Sequence, residues 1–125
     1  MNGDLLTTPL KVKVYEVRLI SNSEALKYLK EYSERERSKT GTVPLLVQRV
    51  IEYLYKFVKI PPEKAEELRE KLSSLNLKEE TIVMLMNICP QSHDEIRPLL
   101  VLEEKVLEAE QLDRIANLLK EYCTE

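Results

Sequence analysis

The sequence has no tryptophan, one phenylalanine and only two glycines in 125 residues. Without Trp and nearly without Phe, the core has to be built from Leu, Ile and Val. The two glycines stand alone, which excludes a glycine-rich loop for cradling phosphates. No apolar run approaches the roughly 20 residues that span a bilayer, so no membrane association is expected. The opening "MNGDLLTTPL" lacks a basic segment followed by an apolar one, so no secretory signal is expected. Two Cys and one His are too few for a four-ligand zinc site. Nor do two Cys make a disulfide framework. These shortages imply a cytoplasmic protein with no metal and no cofactor.

Charge is plentiful. A third of the residues are charged and the net charge is −3. The balance is uneven. Residues 1–60 hold eleven Lys or Arg against seven acids, a balance of +4, and residues 61–125 hold eight against fifteen, a balance of −7. A chain that coats duplex DNA unaided is far more basic than this. A local basic face in the first half remains compatible with the composition.

Scarce glycine and abundant helix formers point to a mainly α protein. The exception is "LKVKVYEVRLI", residues 10–20, where Leu10, Val12 and Val14 alternate with Lys11 and Lys13. That is the period of a half-buried strand. The phase then shifts to Tyr15, Val17 and Leu19, as a bulge would produce. A lone strand leaves its backbone groups unpaired. Either a weak partner near residues 5–8 completes a hairpin, or another polypeptide supplies the sheet.

Helical signals follow in order. Ser21 and Glu24 form a capping box, and Ala25, Leu26, Leu29 and Tyr32 recur at helical spacing until Gly41. After Pro44, the positions Leu46, Val47, Val50, Ile51, Leu54, Phe57 and Val58 cover more than half of a helix circumference. Such a helix is either central or lies between a core and a partner. Pro61–Pro62 separates an N-terminal region, residues 1–60, from a helical region, residues 61–125. In the latter, Ala65, Leu68 and Leu72 give one stripe and Asn76 a left-handed stop. A strongly apolar helix spans about Glu79–Ile88, a short one Asp94–Leu100, and a last one Glu108–Tyr122.

The stretch "ICPQSHDEI" gathers Cys89, His93, Asp94 and Glu95. A Cys–His nucleophile needs the imidazole within about 3 Å of the sulfur, held by a third group. Pro90 breaks the helix that would align them, and Ser92 with Glu95 restarts a helix as a capping box. The structural reading takes Cys89 as a small apolar side chain and His93 as a solvent-facing first-turn residue. It leaves no catalytic residue, and a small Cys–His enzyme is the reading it displaces.

"YLYKFVKIPPEKAEELREKLSSLNLKEETIVMLMNICPQSHDEIRPLL", residues 53–100, resembles the F-type subunit of archaeal DNA-directed RNA polymerase, the counterpart of the fourth subunit of eukaryotic RNA polymerase II. The likeness lies in a "YLxKF" helix end, an "EEL…LxSL" helix, a helix ending in "ICP", an acidic pair before "IR", and a last helix ending in "LLKEY". Pro61–Pro62 departs from the family, which often has an acidic cap there. The resemblance implies an N-terminal strand segment followed by a helical bundle, with a C-terminal domain similar to the HRDC domain of helicases and RNase D. It also implies a non-catalytic, nucleotide-binding stalk subunit. In that family the N-terminal part donates a strand to the polymerase's E-type subunit and buries a helix there, forming a heterodimer. Further implied partners are the polymerase core, nascent single-stranded RNA held mainly through the E-type partner, and the general initiation factor. A free-standing HRDC-like nucleic-acid-binding module is the alternative.

The expected partner interface is Val12, Val14, Tyr15, Val17 and Leu19 with Leu46, Val50, Tyr53 and Leu54. Val50 and Leu54 suit an intramolecular core equally well. The basic set Lys27, Lys30, Arg35, Arg37 and Lys39 is the candidate RNA contact. Glu31, Glu34 and Glu36 interleave with it, as on any solvated charged face. Tyr28 and Tyr32 are suited to stacking on bases, and helical spacing equally suits Tyr32 to the core.

Overall fold

The computed structural model describes residues 17–124. Six α-helices follow one another: α1 Asn22–Thr40, α2 Leu45–Phe57, α3 Ala65–Ser73, α4 Glu79–Ile88, α5 His93–Ile96 and α6 Ala109–Tyr122. Short 3-10 turns, Pro62–Lys64 and Arg97–Leu100, precede α3 and follow α5.

Each boundary has a local cause. The Ser21 hydroxyl accepts from the Glu24 amide at 3.2 Å, and the Ser21 amide donates to the Glu24 carboxylate at 2.8 Å, so two orphan donors at the start of α1 are satisfied. Gly41 ends α1 at φ 80°, a left-handed conformation in which its N–H reaches the Arg37 carbonyl. Asn76 (φ 66°) and Cys89 (φ 52°) adopt the same region after α3 and at the end of α4. Pro90 then prevents α4 from continuing. Ser92 caps α5, while the Glu95 carboxylate reaches back to the Gln91 amide at 2.7 Å, one residue before the cap. The box expected at Ser92 is therefore displaced by one position on its return arm. A full box, Glu108 with Gln111, starts α6.

The core lies in the second half of the chain. Ile60, Ala65, Leu68 and Leu72 pack with Ile82, Leu85, Met86, Ile96 and, from α6, Leu112, Ile115, Leu119 and Tyr122. The aliphatic composition anticipated from the missing Trp and Phe is what fills it. Helices α1 and α2 form an antiparallel pair beside this core, and α1 is tied to it through its first turn. Arg69 of α3, buried, donates to Glu24 at 2.8 Å, to Glu79 at 3.1 Å and to the Leu19 carbonyl at 2.7 Å. The Ser23 hydroxyl donates to the Ile60 carbonyl at 2.6 Å, and the Asn22 amide to Asn87 Oδ1 at 2.8 Å. One guanidinium thus joins the segment before α1 to α1, α3 and α4, with its charge matched inside the protein.

Two expectations need correction. The N-terminal strand segment does not appear: among the described residues there is no β-strand, and Val17–Ile20 are irregular. The reason is visible at Leu19, whose carbonyl is taken by the Arg69 side chain instead of a neighbouring strand. The rest of that expected strand, including Val12, Val14 and Tyr15, lies outside the described residues. The second correction concerns sulfur. Cys89 is bonded to Cys123, with Cα atoms 6.2 Å apart and a sequence separation of 34. Cys89 is therefore not simply an apolar filler: it joins the end of α4 to the residue that follows α6. The pairing leaves no trace in the spacing of the two residues, because it depends on α6 running back across the core and returning Cys123 to the end of α4. The Thr124 amide, donating to the Lys59 carbonyl at 2.6 Å, fixes the tail there.

Candidate partner interface and nucleic-acid groove

Helix α2 has three distinct flanks. Its inward flank carries Leu54, which is only 7% exposed and packs within the chain. Roughly 70° round the helix axis, Leu46, Val50, Tyr53 and Phe57 recur at i, i+4, i+7 and i+11 and form an apolar stripe. These four are 74%, 37%, 61% and 50% exposed. The Tyr53 and Phe57 rings lie 4.7 Å apart and extend the stripe with an aromatic end. Among the described residues, nothing covers this stripe. The alternatives left open by the sequence are thereby divided: Leu54 is core, while Val50 faces outward. Phe57 belongs with the stripe, although the expected set omits it. Its spacing of four from Tyr53 is the signal that could have found it. Val17 and Leu19 are also exposed.

The third flank of α2 faces α1 across a groove of about 320 Å³. Lys30, Ser33, Glu34 and Arg37 line it from α1; Gln48, Ile51 and Glu52 line it from α2. The Lys30 ammonium lies 5.5 Å from the centre of the Tyr55 ring. Hydrogen bonding and charge interaction with Tyr55 raise the Lys30 pKa above its usual value. The expected basic set does not act together. Lys30 and Arg37 share the groove, whereas Arg35 and Lys39 line a neighbouring depression on the next flank of α1 with Glu31 and Glu34, the last of which borders both. Lys27 points towards Glu66 of α3, 4.0 Å away. Tyr32 is half-buried; Tyr28 is exposed, and its hydroxyl accepts from Arg18 at 3.4 Å.

The pair singled out for nucleophilic chemistry is taken apart by the fold. The Cys89 sulfur is spent in the disulfide. His93, expected to face solvent, is half-exposed, and its Nε2 lies 2.7 Å from Asp113 of α6. That contact pins α5 to α6.

The clamp at Arg69, the stripe on α2 and the disulfide all lie in a part of the chain that one family model matches. A family model for RNA polymerase Rpb4 matches residues 19–123, which is most of the chain. The chain belongs to the RNA polymerase Rpb4 family. Three archaeal relatives, each called DNA-directed RNA polymerase subunit Rpo4, are similar to it. The protein from Sulfolobus acidocaldarius is 27% identical over 112 residues, covering 89% of this chain and 94% of the relative. That from Saccharolobus solfataricus is 31% identical over 85 residues, covering 67% and 75%. That from Methanocaldococcus jannaschii is 29% identical over 105 residues, covering 84% and 87%. The Rpb4-family match begins at Leu19, so it takes in Arg69 and its partners, all of α2 and both cysteines. No helix among the described residues of this Rpb4-family chain is long and apolar enough to cross a membrane.

Proposed function

We propose that this chain is a non-catalytic stalk subunit of DNA-directed RNA polymerase in the cytoplasm, pairing with the E-type subunit and, through it, standing on the polymerase core. Residues 61–125 form its HRDC-like domain, and residues 1–60 carry the partner-binding region. The observation that carries this reading is the stripe of Leu46, Val50, Tyr53 and Phe57 on α2, left exposed along its length among the described residues. Contiguous exposed apolar surface of this kind marks a protein contact. A permanent heterodimer buries about 800 Å² or more on each side. One 13-residue helix face supplies only part of that, so Val17 and Leu19 join it. The basic side chains of α1 add a minor contact to emerging single-stranded RNA, and the general initiation factor meets the same stalk.

The test is co-purification with the E-type partner, followed by size-exclusion chromatography. The wild-type chain should co-elute as a one-to-one complex. Tyr53→Asp places a charge in the centre of the stripe and should weaken the complex by roughly 30-fold or more, the loss expected of an interface hot spot. Its circular dichroism and melting should stay close to wild type, because Tyr53 is largely exposed. A variant that still co-elutes at the same concentration would refute the interface assignment. A wild-type chain that ignores the E-type partner would refute the stalk reading and favour a free-standing HRDC-like module.

A further inference from the structure

We propose that the Cys89–Cys123 bond is a reversible thiol–disulfide exchange site, opened by a cellular dithiol, that sets how firmly the end of α2 is held for its partner. The control of docking rests on the stalk reading above; the latch itself does not.

Three segments that are distant in the sequence meet at this bond: the link after α2, the end of α4 and the residues after α6. Lys59, in the link, is bound to both of the others. Its carbonyl accepts from the Thr124 amide at 2.6 Å and from the Thr124 hydroxyl at 3.1 Å. Its ammonium donates to the Ile88 carbonyl at 3.1 Å. Thr124 follows Cys123 and Ile88 precedes Cys89, so the disulfide ties together the two groups that hold Lys59.

Lys59 stands two residues beyond Phe57, the aromatic end of the exposed stripe. Between them, the Val58 amide closes α2 by donating to the Leu54 carbonyl at 2.9 Å. On the other side, Ile60 is anchored independently, with its side chain in the core and its carbonyl held by the Ser23 hydroxyl. Opening the disulfide therefore frees Thr124 from Lys59 without unseating Ile60. The effect is confined to the short stretch that carries α2 into the core.

The exchange balances with one dithiol. Its thiolate attacks one sulfur of the bond, forms a mixed disulfide and expels the other cysteine as a thiolate, which takes a proton from solvent. The second thiol of the reductant then loses its proton, attacks the mixed disulfide and expels the first cysteine, which is protonated likewise. Two electrons pass from the dithiol, which ends as a disulfide, to the cysteines, which end as thiols. An open cavity of about 590 Å³ gives room for the reductant, within the range usual for small-molecule sites. Lys59, Cys89 and Thr124 all line it, so cavity and latch share a wall.

A disulfide in the cytoplasm is either a permanent staple or a redox sensor. The placement of this one favours the sensor. Neither Lys59 nor Thr124 belongs to the aliphatic core, so the core keeps its packing while their contact opens and closes.

The test uses the full chain, equilibrated in mixtures of reduced and oxidised dithiothreitol, trapped with iodoacetamide under native conditions and analysed by mass spectrometry. Both cysteines should label together while the far-ultraviolet circular dichroism stays native. Labelling only after denaturation would overturn the proposal by making the bond a permanent staple. Hydrogen exchange reads the latch. On reduction the Thr124 and Val58 amides should exchange roughly ten-fold faster, the equivalent of about one net hydrogen bond, and the Ala25 amide in α1 should not change. Affinity for the E-type partner should fall roughly three-fold or more, a loss of the same order.

Thr124→Pro separates the latch from the staple. It keeps both cysteines and removes the amide and hydroxyl that hold Lys59. Cys123 already has the extended backbone that a following proline requires, and Thr124 is exposed. Oxidised Thr124→Pro should show the faster Val58 exchange and the weaker binding, and reduction should add nothing to either. If reduction changes neither amide in the wild type, or if Thr124→Pro behaves as the wild type does, the latch is refuted. If the amides respond and the affinity does not, the control of docking is refuted. A chain that ignores the E-type partner in both redox states overturns the stalk reading, and native labelling and exchange still decide the latch.

Discussion

Replacing Arg69 by Met is the sharpest perturbation of this fold. The guanidinium is 8% exposed and joins Glu24, Glu79 and the Leu19 carbonyl. Methionine matches much of its length but leaves the Glu24 carboxylate buried without a countercharge. Removing one partner of a buried pair costs about 3–5 kcal/mol. For a domain of this size, each kcal/mol lowers Tm by roughly 3–5 °C, so Arg69→Met should melt on the order of 10–20 °C below wild type. Glu24→Gln provides the control. Glutamine can still accept from the Ser21 amide, so the capping box survives while the charge is gone. The double variant should recover part of the loss, because no uncompensated charge remains. Differential scanning calorimetry of the four proteins completes the cycle. Hydrogen exchange should show the first turn of α1 opening ahead of α4 in Arg69→Met. The reasoning is refuted if Arg69→Met melts within about 2 °C of wild type, well under the cost of a broken buried pair, or if adding Glu24→Gln lowers Tm further.

Other consequences are equally direct. Closing a loop between cysteines 34 positions apart should contribute roughly 3–4 kcal/mol; Cys123→Ser, or reduction by dithiothreitol, should lower Tm accordingly, and an unchanged melt would exclude the staple. Leu54→Ala should cost about 2–5 kcal/mol of stability through the cavity it leaves, whereas Phe57→Ala, half-exposed, should spare stability and weaken the partner complex; the reverse pattern in urea melts would misplace the two flanks of α2. The Tyr122 hydroxyl donates to Glu67. That hydrogen bond is the main cause of a lowered Glu67 pKa, and it raises the Tyr122 pKa. Lys71 is raised chiefly by Tyr122. A depressed carboxylate stabilises the fold above its unfolded value near 4.5 and loses that as pH falls through the folded value. The raised Tyr122 and Lys71 contribute below about 10 and lose it as pH rises further. The Tm gap between wild type and Glu67→Gln should therefore be widest near neutrality and close in acid, and a gap that widens below pH 4 would contradict the sign.

Local punctuation made much of the fold legible. Ser21 with Glu24, Gly41, Asn76 and Pro90 each act through their own backbone or the next few residues, and each marks a boundary that the structure keeps. The run Glu79–Ile88 has the limits its apolar spacing implies. What failed was long-range. Periodicity in residues 10–20 implies a strand only if another strand lies alongside, and among the described residues the space next to Leu19 belongs to Arg69, fifty positions later. Separation along the chain also hid the disulfide, since nothing local to Cys89 or Cys123 records that α6 doubles back to α4. The candidate site was half visible. Helical spacing pointed to the apolar helix but not to which flank faces outward, because α2 is apolar over more than half its circumference. The basic set was selected by charge, and charge is blind to the side of α1 on which each residue emerges.

The lock at the foot of α1 also acts as a fulcrum. A 19-residue helix rises 1.5 Å per residue and is about 28 Å long. If its base turned by about 10°, its far end near Thr40 would swing by about 5 Å over that length, more than the width of a hydrogen bond. How accurately Arg37 is presented therefore depends on Arg69, which grips the opposite end of α1.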